Sequence, residues 1–242
     1  MLRQGEEDGI TAVITTPHIL SDFDFQRERE IIDRYFELKQ RAEHEGLDIT
    51  IHLGSEIYIQ PDLHLDHKIS TLNGSNRYFL VEFPMGSIPP FVADRFFDLV
   101  LDGKTPIIAH PERNVTILKN PQRAYDFVQR GALLQINAGS LQGKFGQAVK
   151  TLAMQMIECH LAHFVASDSH NAQGRPLKLR EARDLVEQKW DPWRAERLFA
   201  DNPRKVLAGE KIIPPEPIPI ASLPKKSLRE RLRFLKEWRM VE

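Results

Sequence analysis

The strongest constraint on this chain is a repeated pairing of a short apolar run with a histidine or carboxylate at its end. Residues 10–15 lead to Thr16-Pro17-His18, and residues 49–53 lead to Gly54-Ser55-Glu56. Residues 78–83 carry Glu82, residues 105–109 deliver His110, and residues 164–166 precede Asp168-Ser169-His170. Oxygen and imidazole donors placed after successive strands are what a barrel needs to gather metal ions at the carboxyl ends of its strands. A single such match means little. Five in order over about 150 residues point to a metal-dependent hydrolase.

The intervening segments support that architecture. Ile31, Ile32, Tyr35, Phe36, Leu38 and Ala42 recur at helical spacing and predict a helix over 25–45, stopped by Gly46. Further helices are expected over 91–102, 122–130, 148–160, 179–188 and 193–200, with a strand over 133–136 leading to Asn137. Strands alternating with helices imply a mainly parallel sheet, and short apolar strands that each end in a polar residue favour a barrel over an open doubly wound sheet. No glycine-rich dinucleotide or phosphate-loop fingerprint is present, and no internal repeat is visible.

Composition sets the outer bounds. Apolar residues make up 41% of the 242 positions and charged residues 28%, enough for a full core. A net charge of −1 gives no electrostatic reason to expect a nucleic-acid partner. The single cysteine, Cys159, precludes an internal disulfide framework and reads as a packed thiol in a helix. With no apolar run of transmembrane length and no secretion signal at the start, a cytoplasmic protein is expected. Two regions are expected: a barrel over 1–213, and a Pro-rich linker with a basic C-terminal helix over 214–242. That tail carries seven Lys/Arg against four Glu, so it suits an anionic membrane surface or an acidic partner, or else lies as a terminal helix on the body.

Among the candidate site residues, Glu56 and Glu82 stand at the ends of apolar runs, where a buried carboxylate must be coordinated or paired. Both readings are open from the sequence. The donor set suits Mn, Fe, Zn or Mg, and the lack of cysteine ligands argues against a structural zinc site. Asp168 and His170, on alternate residues of an extended strand end, would point the same way. In His110-Pro111-Glu112-Arg113 the histidine can ligate and the Arg113 fork matches a phosphate, unless Arg113 only pairs with Glu112. Asn137, Ser140 and Asn171 either orient ligands and phosphate oxygens or form turns. His44, His52, His64, His67, His160 and His163 read as surface or packing histidines.

Together, Thr-Thr-Pro-His, Gly-Ser-Glu-Ile, Glu-Phe-Pro, His-Pro-Glu-Arg-Asn and Ser-Asp-Ser-His-Asn resemble the polymerase and histidinol phosphatase (PHP) superfamily. Within it they are most similar to the manganese-dependent bacterial protein-tyrosine phosphatases of capsular and exopolysaccharide synthesis, over about residues 5–210. The resemblance implies a distorted (β/α)7 barrel with two or three metal ions, Mn first among the candidates. It makes His18, Glu56, Glu82, His110, Asp168 and His170 the ligands or near ligands. Arg113 would bind phosphate, with Asn137 and Ser140 beside it, and Arg113, Asp168 and His170 would carry the chemistry. It further implies the tail of an autophosphorylating tyrosine kinase as substrate, and a homo-oligomer is compatible with it. A PHP phosphatase of a small ester such as histidinol phosphate, or a catalytically impaired binding protein, are the alternatives. In one respect the chain departs from the pattern. Family members open with a strand ending in His-x-His, whereas no histidine lies among the 15 residues before Thr16. The first strand is therefore expected to be missing, with two sheet edges exposed and the start of the chain mis-assigned or truncated.

Overall fold

Strands from six stretches of chain build the centre of the molecule in a computed structural model that describes residues 1–20, 24–63 and 65–223. His64 and the basic tail from Lys225 lie outside the described residues. A short helix α1 (Leu2–Glu7) precedes β1 (Ala12–Thr15). Its C-cap residue Asp8 accepts from the backbone N–H groups of Leu179 and Arg180 at 2.6 and 2.8 Å, which pins the start of the chain to a later helix. β1 pairs in parallel with β3 (Thr50–Leu53), and the next pieces, β2 (His18–Ile19) and β4 (Glu56–Tyr58), pair likewise.

These are two strands, each broken near its end. Pro17 has no N–H to give to the ladder. The pairing continues across the break through Gly54 N–H to Thr15 O and Glu56 N–H to Pro17 O, both 3.0 Å. At Gly54 a Cβ would stand 2.7 Å from Leu72 Cδ2 and 3.2 Å from Leu72 Cα, so only glycine lets the second strand pass. The kinks aim His18 and Glu56 across the mouth of the barrel.

The sheet continues through β5 (Tyr78–Glu82), β6 (Thr105–Ala109), β7 (Leu133–Asn137) and β8 (Ala162–Ala166), all parallel and in chain order. Apart from the β4–β5 connection, which carries only the 3₁₀ turn Leu72–Gly74, the crossovers are helical: α2 (Phe25–His44), α3 (Val92–Leu101), α4 (Val115–Lys119), α5 (Gln122–Gln129), α6 (Ala138–Gln142) and α7 (Gln147–Glu158). After β8 come α8 (Arg180–Lys189), α9 (Pro192–Glu196), a π-helical turn (Arg197–Asp201) and α10 (Asn202–Ala208). The predicted helices and strands thus stand close to their expected bounds; α4, α6, α10, β2 and β4 are additions.

Strand alternation divides the core in two. Phe79, Val81, Ile108, Leu134 and Ile136 face the helices, whereas Tyr78, Leu80, Ile107 and Leu133 face the barrel interior with Phe164 and Val206. The same alternation sends Glu82 inward above Tyr78 and Leu80. Among the described residues, neither β8 nor β1 has a strand partner on its second edge. A cavity of about 860 Å³ occupies the interior and this seam, lined by Ala12, Val13, Ile107, Phe164 and Leu177 below, and by His18, Glu56 and Asp168 above. Its upper end holds the site.

The described part of the proline-rich stretch touches the body at two points. Ile220 is buried, and Ile218 N–H donates to Cys159 O at 2.9 Å. Among the described residues no helix is long and apolar enough to cross a membrane.

Candidate active site

Four of the expected donors converge: His18 and Glu56 open β2 and β4, just past the carboxyl ends of β1 and β3, Glu82 ends β5, and His110 follows β6. One donor atom from each of His18, Glu56 and Glu82 lies within 4.8 Å of the others. His110 Nε2 stands 3.3 Å from both Glu56 Oε1 and Glu82 Oε1, and His18 Nε2 is 3.8 Å from Glu82 Oε2. His110 has left-handed backbone torsions (φ 34°, ψ 49°), uncommon for a residue with a Cβ and a form of strain that gathers at functional sites. Its N–H still extends the sheet to Gln135 O at 2.7 Å, while Pro111 opens a 3₁₀ turn behind it.

Burial opposes charge on His110, but Glu56 and Glu82 outweigh it and hold the imidazole pKa up at about 10. The hydrogen bond from His110 in turn keeps the Glu82 carboxyl below its ordinary value, against its own desolvation. Two carboxylates and a proton shared by an imidazole form the charge pattern that a divalent cation satisfies after displacing that proton. Glu56 is buried with the His110 imidazole as the neighbour of its Oε1, which fits a metal ligand. The donors are oxygen and imidazole only, suited to a hard or borderline ion.

A second group faces this cluster. Asp168 Oδ2 accepts from Asn137 Nδ2 at 2.7 Å and pairs with Arg113 Nη1 at 3.4 Å and with the Arg175 guanidinium. The expected strand-end geometry for Asp168 and His170 is not found. β8 ends at Ala166, and Asp168 turns left-handed (φ 49°), so alternation does not apply beyond it. His170 instead folds back, with Nδ1 3.1 Å from Asp168 O, and its ring centroid lies 6.2 Å from that of His18 across the mouth.

Three polar residues resolve into definite roles. Ser140 is fully buried and its hydroxyl donates to Glu112 Oε1 at 2.6 Å. The amide N–H of Asn137 donates to the same carboxylate at 2.9 Å. Glu112 therefore ties β7 and α6 to the His110 turn instead of pairing with Arg113, and its complete burial pushes its carboxyl pKa up. Asn171 is a turn former, its Oδ1 accepting from the N–H groups of Gln173, Gly174 and Arg175. That turn swings Arg175 onto Asp168. Sequence reading missed Arg175; the signal available was the Asn-Ala-Gln-Gly turn that precedes it.

Among the described residues, His52, His67 and His163 stay apart from the cluster. His67 is 3.5 Å from the buried Glu28, His52 contacts Asn73, and His163 is buried under β7.

An all-parallel α/β barrel with imidazoles, carboxylates and two arginines at its carboxyl mouth defines a PHP-type metal-binding barrel. Comparison with known proteins agrees. The chain belongs to the capsular polysaccharide synthesis CpsB/CapC family, whose model matches residues 1–208. CapC of Staphylococcus aureus is 34% identical over 215 residues, covering 88% of this chain and 84% of that protein. The tyrosine-protein phosphatase YwqE of Bacillus subtilis is 33% identical over 223 residues, covering 90% and 87%. The tyrosine-protein phosphatase CpsB of Streptococcus pneumoniae is 31% identical over 220 residues, covering 88% and 90%. A solved structure from work on YwqE and CpsB, described as unique metal-dependent tyrosine phosphatases, superposes with a TM-score of 0.85 at 33% identity, over 90% of this chain and 89% of that one.

Proposed function

We propose that this chain is a metal-dependent phosphatase of protein phosphotyrosine. The observation that carries the reading is the juxtaposition of the His18, Glu56, Glu82 and His110 donors with two arginines gathered on Asp168. His18, Glu56, Glu82 and His110 would hold the ions, with Asp168 and His170 completing the set on its far side. Manganese, two or three ions, is the proposed cofactor. A divalent ion there supplies Lewis acidity toward a phosphoryl oxygen and lowers the pKa of water.

The chain's own residues do the rest. Arg113 and Arg175 offer planar forks for the peripheral phosphoryl oxygens, neutralising charge on the group in transfer. Asn137 and Asp168 fix where those forks stand. His170, whose side chain is 41% exposed, would belong to the rim of that set, its Nδ1 held by Asp168 O. The thiol plays no part. Cys159 is buried, and desolvation pushes its pKa up to about 11. The exposed rim at His18 and His170 admits a loop or tail of a folded protein, which supports a protein substrate over a small ester.

The proposed substrate is the phosphorylated tail of a bacterial tyrosine kinase of polysaccharide export, met in the cytoplasm. The barrel over 1–213 would act while the basic segment from 214 holds the protein, as a monomer or homo-oligomer, near that kinase or an anionic membrane surface. The test is manganese-dependent hydrolysis of a phosphotyrosyl peptide beside small phosphomonoesters, with and without a chelator. Chelator-sensitive turnover that favours the peptide supports the proposal. Preference for the small esters moves it to metabolite chemistry, and metal binding without turnover leaves a binding protein.

A further inference from the structure

Arg113 does not stand free beside Asp168: its guanidinium carbon lies 4.2 Å from the ring centroid of Phe145. We propose that Phe145 is a positioning residue, the aromatic platform that holds the Arg113 fork toward the phosphoryl group. This rests on the phosphate-binding reading of Arg113 given above.

The local sequence builds the platform. Gly143 ends α6 in the left-handed region (φ 87°), with Gly143 N–H on Ser140 O and Lys144 N–H on Gly139 O, the paired bonds of a Schellman cap. Gly146, also at positive φ (93°), starts α7 and closes the turn through its N–H on Gly143 O. Only Lys144 and Phe145 stand between the two glycines, so the ring has little freedom. Gly139 clears its path, since a Cβ there would stand 3.1 Å from Phe145 Cε2.

The platform and the arginine also share an anchor. Ser140, one turn before the cap, donates to Glu112, and Glu112 is the residue next to Arg113. The buried Glu112 carboxylate thus fixes α6 relative to the His110 turn, and the ring leaving α6 returns over the guanidinium. A guanidinium stacked on an aromatic face keeps its in-plane N–H donors available, whereas Asp168 alone could hold the fork edge-on, with its donors turned away from substrate.

The experiment combines kinetics with a spectroscopic readout. Phe145→Leu keeps an apolar side chain but has no ring face, and Phe145→Tyr restores one. Both are compared with the parent protein, Arg113→Ala and the double variant Arg113→Ala/Phe145→Leu. With phosphotyrosyl peptide and manganese, Phe145→Leu is expected to lower kcat/KM about three- to thirtyfold, the range of a cation–π contact, and Phe145→Tyr to restore it. In the Arg113→Ala background Phe145→Leu should change little, because the ring acts through the arginine. In the metal-free protein the Arg113 Nε–Hε resonance should carry a ring-current shift that Phe145→Leu abolishes. Additive losses in the double variant, or an unmoved Arg113 resonance, overturn the proposal. If Arg113→Ala keeps full activity while the resonance shift in Phe145→Leu is as expected, the phosphate-binding reading fails, and the functional part of the proposal with it.

Discussion

At the scale of single residues, the site is a set of closely spaced ionisable groups, and burial and neighbours set their values. His110 and His163 show the two directions. His110 has its pKa raised to about 10 beside two carboxylates, and His163 has its pKa lowered to about 3 by desolvation and the nearby Arg197 charge. His163 Nδ1 accepts from Leu134 N–H at 3.0 Å, so it is held neutral in the fold. The stability that His110 contributes is complete below the unfolded value near 6.5 and is lost as pH climbs toward 10. That of His163 is complete above 6.5 and is lost as pH falls toward 3. These two groups alone take stability away on either side of pH 6.5, and the acid-side slope from His163 approaches about 1.4 kcal/mol per pH unit. His163→Asn, which keeps an acceptor and cannot titrate there, should flatten that slope. Denaturant unfolding between pH 4.5 and 6.5 tests this, and parallel slopes for the two proteins would contradict it. At the same scale, Cys159→Ser should keep activity within about tenfold, ~1.4 kcal/mol of barrier. A larger loss in a folded variant would restore the thiol to the mechanism.

At the scale of elements, the site depends on two broken strands. Gly54→Ala places a Cβ against Leu72 side-chain and backbone atoms, and the backbone contact cannot yield without moving the 3₁₀ turn Leu72–Gly74. Overpacking of this kind costs about 1–3 kcal/mol, and because Glu56 follows two residues later, metal affinity should fall as well. Thermal unfolding with and without added manganese measures both. An unchanged metal-dependent rise in Tm would show that the kink does not place Glu56. This is also where the sequence was least legible. Periodicity located the apolar runs and so the strands, because strand alternation is local. It did not show that Thr16-Pro17 and Gly54-Ser55 interrupt a ladder that then resumes, since the resumption depends on the neighbouring strand. For the same reason Glu112 was weighed as a partner of the adjacent Arg113, whereas its partners, Ser140 and Asn137, come from the next strand and helix. The candidate donors were legible because histidines and carboxylates at the ends of apolar runs are visible in the sequence itself. Arg175 reaches the site only through a loop turn, which periodicity does not register.

At the scale of the whole molecule, the seam between β1 and β8 decides how the chain behaves in solution. Among the described residues each of these strands presents an unpaired edge, and both border the cavity of about 860 Å³, whose lining includes Val13, Ile14, Leu80, Ile107 and Phe164. Unpaired parallel edges beside apolar surface are templates for another extended chain, and charged residues on the edge are the usual protection. Ala12, at the start of β1, is exposed and carries no such charge. The described chain is therefore expected to associate reversibly as its concentration rises, and to bind an apolar dye in the seam. Ala12→Lys should lower that association several-fold and leave Tm within a few degrees, because an exposed alanine contributes little to packing and a lysine stem can lie along the strand with its ammonium in water. Sedimentation velocity over a hundredfold range of concentration, run beside dye fluorescence, makes the comparison. A parent protein that stays monomeric and binds no dye would mean that the seam is closed in solution. Association unaffected by Ala12→Lys would move the contact to another surface, such as the exposed Phe97 and Leu101 on α3.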